Sequence, residues 1–160
     1  MPFTPFHFGP AALVHAAAPG YVSFLIFCGA NVLLDFEPLY FMLTHQEPIH
    51  RFFHTYVGAT VAATIVVALF AFVRRLARPL LRIFWIENLT TRVVALGAFA
   101  GTYSHVFLDS LMHADMRPFA PFSDANPLLG AVSFTALHLF CLLAGVVGVA
   151  VVGARRYFRS

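Results

Sequence analysis

Ser104–His113 reads SHVFLDSLMH, and it closes an apolar run that begins at Val93. Val93–Leu108 carries no charged residue but is too short to cross a bilayer. A span takes about 20 residues, at 1.5 Å rise each over roughly 30 Å of hydrocarbon. The run reaches that length only by continuing through Asp109 to about His113, so the polar stretch belongs to the helix. An Asp inside a membrane helix costs roughly 2.5–3.5 kcal/mol on insertion scales. His105, Asp109 and His113 nevertheless follow at four-residue steps. Residues i and i+4 of a helix share a face with Cβ atoms about 5–6 Å apart. A row of ionisable groups in such a place exists to meet another row.

The composition sets the class. Of 160 residues, 60% are hydrophobic and only 11% charged, where a soluble domain has about 25% charged residues. Mean hydropathy is +0.81. These values predict an all-α integral membrane bundle of a single domain, 1–160. Besides the 92–113 segment, spans are expected over 50–73 and 127–154, whose cores Thr55–Val73 and Pro127–Ala154 are uncharged. The linker 74–91, with Leu80–Ile86 (LLRIFWI) between arginines, reads as an interfacial helix. In the first 43 residues, Gly9–Ala18 and Val22–Asp35 are short apolar arms broken by Pro19-Gly20. They are read as a re-entrant or short helical hairpin, against the alternative of one full span over Tyr21–Leu43.

Arginine placement predicts the orientation. All ten basic residues are Arg. Arg74, Arg75, Arg78, Arg82 and Arg92 lie between the first two spans, and Arg155, Arg156 and Arg159 follow the third. Arg51 and Arg117 lie on the other side. The positive-inside rule sends the larger group to the cytoplasm. The expectation is a multi-pass protein of the bacterial inner membrane, its C-terminus cytoplasmic. The net charge of +3 is explained by this topology and not by nucleic acid, because the arginines flank apolar segments and form no basic face. Membrane lipids are the expected partners, and the oligomeric state is left open. The N-terminus has no basic n-region, so no cleaved signal peptide is expected. Cys28 and Cys141 sit in apolar runs without CxxC spacing and read as small core residues.

With that topology, His50 and His54 open one span, His105 and Asp109 close the next, and His7 and Asp35 end the hairpin arms. All six fall at the extracytoplasmic face. Two i,i+4 pairs on antiparallel neighbours form a cradle for a divalent metal, with zinc the expected ion and one or more ions bound. His113 drifts about 40° per four-residue step from His105, and whether it joins the set is left open. Asp35 and Glu37 are candidates for bridging metals or for a general base, and Arg51 for a phosphate contact. Gly97 and Gly101 form a GxxxG on the His105 stripe that admits a close neighbour. His15, His45 and His138 are read as structural, His138 as an interhelical hydrogen bond. Asp115, Asp124 and Glu87 are read as loop or cap residues. The Asn88-Leu-Thr90 sequon falls on the cytoplasmic side and is discounted.

Four motifs, TPFHFGP at Thr4–Pro10, DFEP at Asp35–Pro38, HRFFHT at His50–Thr55 and SHVFLD at Ser104–Asp109, together resemble those of small bacterial integral-membrane proteins described as membrane-bound metal-dependent hydrolases. The resemblance runs from the N-terminus to about Pro127. The HxxxD pair is also distantly similar to zinc-dependent phospholipase C and related secreted nucleases. The likeness implies metal ligation by His7, Asp35, His50, His54, His105 and Asp109. The leading expectation is a metal-dependent hydrolase of a phosphoester such as a lipid headgroup, with Asp35, Glu37 and Arg51 as catalytic candidates. This chain has Asp35-Phe-Glu37 where the family often has Asp-x-Asp, and Phe52 where a Gly often follows the His-Arg. Expectations from other classes are a metal or proton transporter and a non-catalytic metal- or haem-binding membrane protein.

Overall fold

A computed structural model describes residues 4–158. A short 3-10 turn, Thr4–His7, leads into α1 (Phe8–Ala17), followed by α2 (Phe24–Leu43), α3 (Tyr56–Leu76), α4 (Arg78–Ile83), α5 (Thr91–Ser110) and α6 (Phe134–Tyr157). No strand occurs among the described residues. Each long helix opens on a hydroxyl that takes one of its unpaired N–H groups. Ser23 accepts from Ile26, Thr55 from Gly58, Thr90 from Val93 and Ser133 from Ala136.

Three helices, α2, α3 and α6, are long and apolar enough to cross a membrane. Their outer faces carry the exposed apolar side chains, among them Ile65, Leu69 and Phe72 on α3 and Val146 and Val149 on α6. Buried polar groups lie inside. This inside-out distribution suits a lipid surround. The fourth long helix, α5, exposes Leu96, Tyr103 and Phe107 on one side and is buried over much of the rest. It packs against α2 on one side and α3 on the other, with Val94, Ala98, Thr102, His105 and Asp109 all buried.

Small residues set the spacing. A Cβ on Gly101 would stand 2.6 Å from the Phe27 carbonyl oxygen, and one on Gly97 would meet the Ile26 side chain at 3.2 Å. The GxxxG edge of α5 is thus the seat of α2. Gly9 and Gly148 do the same between α1 and α6, where an added Cβ would strike backbone. At the far end of this pair Arg155 donates to the Ala16 carbonyl; Arg159 lies outside the described residues. Below the site, Ala30, Ala63 and Ala98 form one apolar layer, and Phe70, Leu81 and Val94 form the next.

Two expectations change in detail. The N-terminal hairpin forms and turns after Ala17, but its arms are unequal. Its second arm runs past Asp35 and through Pro38 to Leu43, as in the alternative reading over Tyr21–Leu43. An interior proline removes one helical hydrogen bond; here Pro38 is buried, and the turns beyond it are held by Glu37 and by the Thr44 cap on Tyr40. His50 and His54 are not a helical pair. His50 lies in the loop and His54 in the 3-10 turn Phe52–His54, ahead of α3. The segment read as interfacial forms α4 and a turn after it, which expose Leu80, Ile83, Phe84 and Trp85.

Candidate metal centre

α5 supplies the first two groups. His105 and Asp109 project from one face, with His105 Nε2 3.2 Å from Asp109 Oδ2, and both are buried. The other edge of the His105 ring meets Asn31, Nδ1 standing 3.1 Å from Asn31 Oδ1. The Asn31 amide donates to Phe27 O at 2.9 Å, which leaves its oxygen to accept. His105 Nδ1 therefore carries the proton, and Nε2 presents a lone pair.

His54 is held by the same logic. Its Nδ1 lies 3.1 Å from Glu37 Oε2, and a carboxylate accepts, so the proton is again on Nδ1 and the lone pair on Nε2. That Nε2 stands 3.3 Å from His105 Nε2. Asp35 Oδ1 is 3.3 Å from His105 Nε2, and Asp109 Oδ2 is 3.9 Å from His54 Nε2. One ligand atom from each of Asp35, His54, His105 and Asp109 lies within 4.8 Å of the other three. With both rings neutral, two imidazole lone pairs and two carboxylate oxygens thus converge. Such a set is repulsive by itself and is satisfied by a cation. This buried His/Asp cluster can hold a metal ion.

The mutual placement follows from helix lengths. Asp35 lies about 17 Å up α2 from Phe24, and His7 about 15 Å above the turn at Ala17, at 1.5 Å per residue. The two arms therefore return to one depth although α2 continues. His7 stacks on His105 with ring centroids 4.4 Å apart. Its Nε2 lies 3.2 Å from Asp109 Oδ1, yet neither atom has a hydrogen-bond partner among the described residues.

A second group adjoins the first. Asp115 accepts from the backbone N–H of Ile49 and His50, and His50 Nδ1 lies 2.9 Å from its Oδ1. The His50 ring is 4.9 Å from His54 and 4.3 Å from His113. Burial, reinforced by the neighbouring His54, holds the His50 imidazole below its ordinary value although Asp115 pulls the other way. Burial likewise holds His113 low. Burial works against ionisation of Asp115, but the hydrogen bonds from His50 outweigh it and keep its carboxyl below the usual range. Both imidazoles are thereby kept in the neutral form that ligates metals.

Of the residues singled out in the sequence, Asp35, His54, His105 and Asp109 come together in one group, His50 joins Asp109 in the adjoining one, and His7 lies against His105 and Asp109 outside both. Glu37 and Arg51 have other work. Glu37 accepts from Arg51 N, Phe53 N and His54 Nδ1, so it positions the His50–His54 loop. The Arg51 guanidinium lies over the Phe41 ring at 3.6 Å and donates to Pro48 O; its side chain borders a groove of about 470 Å³ with His50 and Arg117. His138 bonds Phe134 O on its own helix and makes no interhelical hydrogen bond; its ring stands edge-on to Phe6, 4.4 Å away. Cys28 and Cys141 are free.

Asn31 escapes the sequence reading, which leaves His113 open and reads Asp115 as a loop or cap residue. Asn31 sits four residues before Asp35, and that spacing was the available signal. His113 follows the end of α5, where helical drift no longer governs direction. Asp115 is brought to His50 by a loop that no local pattern announces. Against known protein families, curated proteins and solved structures, the chain finds no match.

Proposed function

We propose that this chain is a membrane-embedded, zinc-dependent hydrolase, acting on a phosphoester such as a lipid headgroup. The observation that carries the reading is the convergence of the His54 and His105 lone pairs with Asp35 and Asp109. Zinc bonds of 2.0–2.1 Å to nitrogen and oxygen in a tetrahedron put neighbouring ligand atoms about 3.3 Å apart. The cluster's closest separations are 3.2 and 3.3 Å. Glu37 and Asn31 supply the outer hydrogen bonds that fix ligand tautomers around metals.

A bound divalent ion lowers the pKa of water toward about 7 and polarises a phosphoryl oxygen. The chain's own residues do the rest. His54 and His105 are fully buried and hold position, whereas the Asp35 side chain is 29% exposed and opens the cluster to solvent. Asp35 is the carboxylate that would take a proton at that edge, and Glu37 accepts from three N–H groups. Arg51 and Arg117 border the groove beside His50, where an anionic headgroup gains a charge-assisted contact. By the positive-inside rule the site faces the extracytoplasmic side. The resemblance to the bacterial membrane hydrolases supports the same reading.

The rival classes find less support. A bis-histidine haem needs a macrocycle between its axial nitrogens, but His54 and His105 Nε2 are 3.3 Å apart with two carboxylates beside them. A transporter needs a polar path onward, and the Ala30/Ala63/Ala98 and Phe70/Leu81/Val94 layers close that direction. The test is hydrolysis of a nitrophenyl phosphodiester and of phospholipid by detergent-purified protein. Activity should vanish with chelator and return with Zn²⁺. Turnover that ignores both chelator and the His54→Ala/His105→Ala pair would refute the reading.

A further inference from the structure

We infer that Asp109 bridges two divalent cations, the second held by His50 and His113. This rests on the reading of Asp35, His54, His105 and Asp109 as the first site. One ligand atom each from His50, Asp109 and His113 lies within 4.8 Å of the other two, so Asp109 belongs to both groups.

The second group has the marks of a prepared site. Asp115 accepts from His50 Nδ1, so Nε2 carries the lone pair. The loop behind His113 is tied down: His113 N donates to Asp109 O at 2.9 Å, and the Asn126 amide donates to Ser110 O and His113 O. Asp109 has one oxygen facing the first site and another, Oδ1, buried without a hydrogen-bond partner. That oxygen is in contact with His7 Nε2 at 3.2 Å but without a hydrogen bond among the described residues; a buried carboxylate oxygen so placed costs free energy, and a second cation beside His50 and His113 would offset that cost. Two ions joined by one carboxylate give the paired arrangement used for in-line displacement at phosphorus.

The experiment is a Mn²⁺ and Zn²⁺ titration of the full chain in detergent. It combines elemental analysis after desalting with electron paramagnetic resonance of the Mn²⁺ form. Wild type should bind two equivalents and give a spin-coupled pair. His113→Ala and the near-isosteric Asp115→Asn should each fall to one equivalent with an isolated Mn²⁺ signal, at unchanged helical content. One equivalent in wild type that His113→Ala leaves untouched would overturn the second site and spare the first. No retained metal in wild type would overturn both. A single equivalent lost with His113→Ala would show that the ion sits elsewhere than proposed.

Discussion

His54 Nε2 and His105 Nε2 face each other at 3.3 Å, each ring held from behind by a hydrogen-bond acceptor, Glu37 for one and Asn31 for the other. With both rings neutral in these tautomers, the two Nε2 atoms turn lone pairs toward a common point beside Asp35 and Asp109.

Removing the acceptors behind the rings should weaken metal binding without removing a ligand. Glu37→Gln and Asn31→Ala are each expected to lower zinc affinity by about 10–100-fold. Competition with a chromophoric chelator reads the change. Glu37→Gln should also loosen the loop at Arg51 and Phe53, whose backbone N–H groups it anchors, seen as faster amide exchange there.

Arg51→Ala should leave metal content unchanged, because the guanidinium rests on Phe41 and Pro48 and not in the cluster. Its expected effect is a raised KM for anionic substrates. Elemental analysis and steady-state kinetics separate the two.

The two glycines of the α5 edge should differ. Gly101→Ala sets a Cβ 2.6 Å from backbone, whereas Gly97→Ala meets Ile26 Cγ2 at 3.2 Å and the Ser23 carbonyl oxygen at 3.3 Å, contacts that a shift of a few tenths of an ångström relieves. Overpacking costs about 1–3 kcal/mol, and Gly101→Ala should lie at the upper end with Gly97→Ala well below it. Thermal unfolding in detergent measures this. Because α2 carries Asn31 and Asp35, Gly101→Ala should lower metal affinity as well.

Arginine asymmetry predicts that the α3–α4–α5 connection and the end of α6 share the cytoplasmic side. Reporter fusions after Ser160 and in the Arg117–Pro127 loop should report opposite compartments.

Much of the site was legible because its residues lie at helix ends that a hydropathy scan finds. His105 and Asp109 announced themselves by four-residue spacing inside an apolar run. The depth match of His7 with Asp35 was legible too, since two arms of similar rise from one turn end level. Helix α2 was harder: Asp35, Glu37 and Pro38 are what a span seldom holds, and the reasons they are held here come from other segments, chiefly the His50–His54 loop. For the same reason Asp115 was taken for a solvated loop acid. Its partner lies 65 positions away in sequence, a distance at which spacing carries no information.

The central claim is that His54, His105, Asp35 and Asp109 hold one cation. X-ray absorption at the zinc edge, on purified protein carrying one equivalent, tests it most directly. The account predicts four nitrogen or oxygen neighbours near 2.0–2.1 Å with outer-shell scattering from two imidazoles, and loss of that zinc in the His54→Ala/His105→Ala variant. A zinc that shows no imidazole scattering, or that survives the double substitution with its spectrum unchanged, would contradict it.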